Sequence, residues 1–213
     1  MEIVNNPIIR KFFRLISSLE IRLKGQAFPG MKRVRQITLS HCGPAVLASL
    51  FSFVGVSVPQ RKVTYSTRTS QRIHTYGLST IELARAAKIF GQKGKFIFWM
   101  KKEATIQDLN KIVNKYKFPV GVEWQGVFYE NEDEDNGHYS IVTEINPAKG
   151  YIKLADPFHK FAGVDRVFKL KDFTDRWWDT NMVGRTEVFD RKVMFVIVKK
   201  GETWPKKLGM KKG

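Results

Sequence analysis

The sequence predicts an α+β domain, in which helices from the N-terminal half pack on an antiparallel sheet supplied by the C-terminal half. Apolar residues recur at helical spacing through much of the first half, and short β-branched and aromatic runs divided by turn residues fill the second. Helices first and strands second is the order of an α+β domain rather than of alternating βα units. Hydrophobic residues make up 43% of the 213-residue chain, which is enough for a packed core, and no internal repeat or low-complexity tract interrupts it.

Residues 7–24 carry Ile8, Ile9, Phe12, Phe13, Leu15, Ile16, Leu19 and Ile21 with basic residues between them. This is the pattern of an amphipathic helix, read as an arm that packs on the domain or lies on an anionic surface. "GQAFPGMK" then acts as a linker. Residues 43–55 are apolar nearly all round and end at Gly55, the pattern of a central buried helix. "TYSTRTSQRIHTYG" is polar and reads as a loop. "STIELARAAKIFG" opens on Ser79 with Glu82 three residues on and closes at Gly91, a capping box followed by a C-terminal glycine. "ATIQDLNKIVNKY" is a third helix. "KFIFWM", "FPVGVEW", "HYSIVTEI", "GYIKLADP" and "RKVMFVIVKK" read as strands, and "KDFTDRWWDT" as one more short helix. The expected division is a helical arm and linker over residues 1–30, a domain over 31–200 and a basic tail over 201–213.

The net charge of +17 favours contact with polyanions such as nucleic acid, an anionic membrane surface or an acidic partner, and says nothing about fold. The cations are densest at residues 92–102 and 199–212. A solvated basic surface is the plainest reading, because there is no Gly-rich phosphate loop, zinc finger or RNA-binding aromatic signature. No segment reaches the ~18 apolar residues of a membrane-spanning helix. Arg10, Lys11, Arg14 and Arg22 break up the apolar run a secretory signal needs. A single cysteine excludes an internal disulfide and a zinc site built on paired cysteines. Together these give a cytoplasmic expectation with no cofactor.

That cysteine is the focus of the chemistry. In "RQITLSHCGPAVLASLF", Cys42 precedes the apolar helix, and Pro44 is tolerated in a first helical turn, where its missing N–H is not needed. A helix N-terminus favours a thiolate. A buried inert thiol is the competing account. Of the four histidines, His41 adjoins Cys42 and points away from it, while His74 and His159 fall in polar turns. His138 opens a strand directly after Gly137, where a rigid backbone can hold a side chain at a cleft. The next strand ends at Asp156-Pro157. An antiparallel hairpin puts the end of its second strand beside the start of its first, so Asp156 belongs next to His138 and can orient it. The acidic run Glu130, Glu132, Asp133, Glu134 and Asp135 reads as a solvated loop or as a charge near His138; its spacing does not suit calcium.

Gln36, then Cys42-Gly43-Pro44, then Gly137-His138-Tyr139, then Asp156-Pro157, in that order, resemble the papain-like cysteine peptidases. Among them the nearest likeness is to the bacteriocin-processing family, which cleaves leader peptides after a double glycine. "YGLSTIELARAAKIFG" looks like that family's middle helix, "GHYSIVTEI" with "YIKLADP" like its histidine hairpin, and "FKLKDFTDRWW" like its segment after the aspartate. The likeness spans about residues 34–199, here as a stand-alone domain. It implies a papain-like fold, a peptide or protein substrate, Cys42 as nucleophile, His138 as acid and base, Asp156 as its orienter and Gln36 as an oxyanion donor. Two other readings stay open at this level: an amidase or acyltransferase on the same fold, and a catalytically retired module that binds nucleic acid or an anionic surface.

Overall fold

A computed structural model describes residues 28–70, 73–128, 136–183 and 186–213; the expected arm, the first three residues of the linker and the acidic run before His138 lie outside the described residues. Helix α1 (Cys42–Phe53) is buried from Cys42 through Phe51. The chain leading into it is tied down by two helix hydroxyls: Val34 N donates to Ser49 Oγ at 3.0 Å and Lys32 N to Ser52 Oγ at 2.8 Å. One residue pair further on, Gln36 N donates to Pro157 O at 2.9 Å, which fixes this lead-in against the segment that carries Asp156.

Two short helices, α2 (Gln60–Ser66) and α3 (Ile73–Tyr76), take up both ends of the stretch expected as a loop. Each is anchored by a single fully buried aliphatic, Val63 at 0% exposure and Ile73 at 1%, too sparse a pattern to register as a helical period. Helix α4 (Thr80–Phe90) starts with the expected capping box, Ser79 N donating to Glu82 at 2.9 Å. Gly91 ends it with an ordinary negative φ of −68°, so left-handed freedom is not the reason for glycine there. A Cβ at this position would stand 2.5 Å from Phe96 O, the backbone against which the chain reverses.

Strand β1 (Phe96–Lys101) follows, then α5 (Ile106–Asn110), which widens into a π-helical turn over Lys111–Tyr116. The remaining strands are β2 (Val120–Gln125), β3 (Gly137–Asn146), β4 (Tyr151–Ala155), β5 (Asp165–Lys169), β6 (Trp178–Val183), β7 (Thr186–Arg191), β8 (Met194–Lys199) and β9 (Lys211–Lys212). Helices α6 (Leu170–Asp175) and α7 (Trp204–Lys207) lie between them. Seven strands form an antiparallel sheet in the order β5-β4-β3-β2-β8-β1-β9, and β6 and β7 make a separate hairpin. Helix α1 packs on β3 at the centre of this sheet. The hydrophobic core includes Leu47 and Phe51 of α1, Leu83 of α4 and Trp124 and Phe195 of the sheet.

Two further expectations change. "KDFTDRWWDT" is helical only through Asp175, and its second half is the start of β6. Residues 201–213 are not a tail set apart from the domain, since Trp204 stacks on Tyr116 at 4.7 Å, Leu208 and Met210 join the core, and β9 pairs with β1. Among the described residues no helix is long and apolar enough to cross a membrane.

Candidate active site

Strand β3 begins at Gly137, and its second residue, His138, lies opposite Trp124 of β2 with only 2% of its surface exposed. The β3–β4 hairpin brings the end of β4 back beside this start, through an irregularity between Val142 and Glu144. Asp156, immediately after β4, meets His138 there: Nε2 lies 2.8 Å from Oδ1. The Cys42 thiol, at the first residue of α1, lies near enough to His138 to raise its pKa. With Nε2 on the carboxylate, Nδ1 is the ring nitrogen left for sulfur.

Burial alone would push the His138 imidazole down, but the Asp156 carboxylate and the Cys42 sulfur beside it outweigh that and hold it up at about 9. Burial would likewise raise Asp156, yet its charged form is held by His138, by the Phe158 N–H at 2.9 Å and by Arg166, and it sits at about 2. Arg166 Nη1 is 2.7 Å from Asp156 Oδ2, and its second amino group donates to Val127 O. The guanidinium lies over the Phe161 ring at 3.8 Å and the Phe168 ring at 4.9 Å, so it is fixed by packing as well as by charge. Asp156 thus has each oxygen satisfied, and its carboxylate plane is set by two cationic partners on opposite sides.

Gln36 is buried in the turn before α1, and its Nε2 donates to the Thr38 and Leu39 carbonyls, both at 2.9 Å. Both amide hydrogens are engaged there, while Oε1 is buried without a hydrogen-bond partner. The other histidines stand apart: Nδ1 of buried His41 meets the Thr38 hydroxyl at 2.5 Å, and His74 and His159 are exposed.

Cys42 lines a cleft of about 390 Å³ whose floor includes Gly137 and Tyr139. Beneath it lies a buried polar cluster. The Tyr139 hydroxyl donates to Glu123, Thr80 Oγ1 donates to Glu123 at 3.2 Å and Asn181 Nδ2 to the same carboxyl at 3.0 Å. Burial pushes the Glu123 carboxyl up, and Asp190 nearby adds to it. Sequence reading missed this cluster and missed Arg166. The signal for Arg166 was faint: "DRVFK" is too polar to read as a strand, and only β5, pairing Arg166 with Leu154, places it beside Asp156.

An α+β chain with a cysteine at the head of a buried helix, facing a histidine on an antiparallel sheet, has the papain-like peptidase fold. Residues 28–184 match the model of the Peptidase C39 like family, and the chain belongs to that family. Two solved structures share the fold. The peptidase domain of Streptococcus ComA, a bifunctional ABC transporter involved in a quorum sensing pathway, is 19% identical, with a TM-score of 0.55 over 80% of this chain and 99% of that one. A double glycine motif protease from an AMS/PCAT transporter, solved in complex with the leader peptide, is 15% identical, with a TM-score of 0.51 over 83% of this chain and 96% of that one. The comparison with curated protein sequences returned no match.

Proposed function

We propose that this chain is a cysteine peptidase that hydrolyses peptide bonds, with the processing of leader peptides as the activity its family membership favours. The observation that carries this reading is Cys42 on the wall of an open cleft, beside a buried His138 that is hydrogen-bonded to Asp156. The thiolate of Cys42 attacks the scissile carbonyl carbon, and the charge moves to oxygen. The Cys42 N–H, in the first helical turn where backbone donors lack intrahelical partners, is placed to receive that oxyanion. Gln36 can add a second donor once its amide lets go of the Thr38 or Leu39 carbonyl. His138 then gives its Nδ1 proton to the amine as the C–N bond breaks. In the second half, His138 takes a proton from water, the hydroxide attacks the thioester, and the acid product leaves with the thiolate restored. Asp156 holds the imidazole in place throughout.

Cys42 is the only cysteine, so any thiol label reports on it alone. An ordinary thiol reacts with iodoacetamide faster as pH rises through about 8.5. With His138 beside it, Cys42 is expected to react faster in the native chain than in His138→Ala across neutral and acidic pH. His138→Ala is expected to move the rate–pH profile back to the ordinary one. A native rate–pH profile left unchanged by His138→Ala sinks the peptidase reading.

A further inference from the structure

The cleft beside Cys42 has two walls. One is made by Leu39 and Ser40 with Gly77 and Leu78, and the other by β6, of which residues 179–182 all take part. A strand that turned one face to the cleft would contribute alternate residues, because successive side chains point to opposite sides. Four in succession means that the strand lies edge-on. Its partner β7 is on the far side and largely exposed, and among the described residues no strand covers the other edge of β6.

The bonds flanking the hairpin show which backbone groups point off that edge. Lys192 N donates to Trp177 O at 2.9 Å, so Trp177 and Lys192 face each other as a bonded pair. The next pair, Trp178 and Arg191, is turned outward: Trp178 N donates to Arg176 O at 2.9 Å, and Arg191 O accepts from Glu103 N at 3.0 Å. Bonded and non-bonded pairs alternate along an antiparallel ladder, and the register runs without a shift from Trp178↔Arg191 to Val183↔Thr186. Asp179 and Asn181 therefore bond to β7, and the N–H and C=O of Thr180 and Met182 point off the open edge. The edge is held in place from beneath, where Gln125 donates to Asp179 at 3.0 Å and Asn181 to Glu123 at 3.0 Å.

Building on the peptidase reading, we propose that the open edge of β6 takes the substrate as an added strand, with Thr180 and Met182 each exchanging main-chain hydrogen bonds with an extended segment laid past Cys42. Recognition of this kind reads the backbone, and selects a chain that can be drawn out straight at the cut over one that stays helical there. Proline in the segment, at a residue whose N–H faces β6, breaks the ladder.

The test uses the full chain and a mixed library of short unstructured peptides, with cleavage followed by mass spectrometry. Thr180→Pro and Met182→Pro each remove an outward N–H and leave the bonds to β7 intact, as an edge strand allows. Each is expected to lower kcat/KM on the peptide cut fastest by about tenfold, with the iodoacetamide rate of Cys42 unchanged. In the wild-type protein, an ester in place of the substrate amide that faces β6 is expected to cost a similar factor, and to cost nothing further in the matching proline variant. Wild-type cleavage by both proline variants, or an ester scan across the cut with no sensitive position, overturns the proposal alone. A library left uncut by the wild-type protein overturns the peptidase reading and this proposal with it.

Discussion

The Asp179 carboxylate fills the space into which a side chain at position 137 would project: a Cβ there would stand 2.4 Å from Oδ1 and 2.5 Å from Oδ2. Glycine directly before His138 is thus what lets the β6–β7 hairpin close over the sheet at the His138 end of β3. Gly137→Ala must push β6 outward or strain the start of β3. A destabilisation of about 1–3 kcal/mol is expected in urea unfolding, together with loss of peptide cleavage, because both the cleft wall and His138 shift. Unfolding and cleavage that match wild type show that the hairpin is looser than its contacts imply.

Arg166 and His138 share one carboxylate, and this changes what an amide at position 156 can do. The β3–β4 hairpin by itself leads one to expect Asp156→Asn to be milder than Asp156→Ala, since the amide oxygen still accepts from imidazole. But Asn brings an NH₂ group against either the His138 N–H or the Arg166 guanidinium. Asp156→Asn is therefore expected to cut kcat about as deeply as Asp156→Ala, by roughly 10²-fold or more. Arg166→Met frees one side of the amide, so Asn should be tolerated better in that background than in the native one. Additive losses in the double mutant refute this coupling.

With the imidazole held up at about 9, the protonated form needed to expel the amine persists well above its usual range. The basic limb of kcat/KM is expected near that value. Asp156→Ala removes the chief raising charge and leaves burial, which lowers, so the limb should move down. The same shifts bear on stability. His138 binds its proton more tightly folded than unfolded, so its contribution is full below 6.5 and is lost as pH rises through about 9. Asp156 does the reverse: its contribution is full above 3.8 and is lost as pH falls through about 2. Urea unfolding of wild type and His138→Ala across this range checks both signs.

Trp204 is placed to test whether the last residues belong to the domain. It stacks on Tyr116 at 4.7 Å and lies against Phe118 at 5.4 Å. Trp204→Ala is expected to cost about 3–5 kcal/mol, read from the shift in the urea midpoint at constant slope. A change near zero would return residues 201–213 to the role of a dispensable tail.

The parts of the fold that sequence made legible are those where burial and hydrophobicity coincide. Helix α1 is apolar on every side, α4 carries its own capping box, and the central strands are β-branched and aromatic. The β6–β7 hairpin was hidden for a physical reason. Its inward residues are Asp179, Asn181 and Asp190, buried through hydrogen bonds and charge rather than through apolar surface, so a hydrophobic pattern passes over them. Phe173 and Trp177, four apart and both buried, then extend a helical signal beyond its true end. His138 and Asp156 could be brought together from sequence because a short hairpin allows one geometry, and Cys42 was joined to them only through the family resemblance. The engagement of Gln36 by its own turn, and the reach of Arg166 from a polar edge strand, depend on side-chain contacts that spacing does not encode.

The two-residue strand β9 has a consequence for the life of the protein in a crowded solution. Strand β1, "FIFWMK", is six residues of high β-propensity, and its outer edge is met by the last three residues, Lys211 and Lys212 pairing with Met100 and Trp99 and Gly213 N donating to Phe98 O. An open edge of that composition is a template for sheet-to-sheet aggregation, and a short, doubly charged strand is an effective way to blunt one. Clipping the last few residues would uncap this edge and leave it open to sheet-to-sheet stacking.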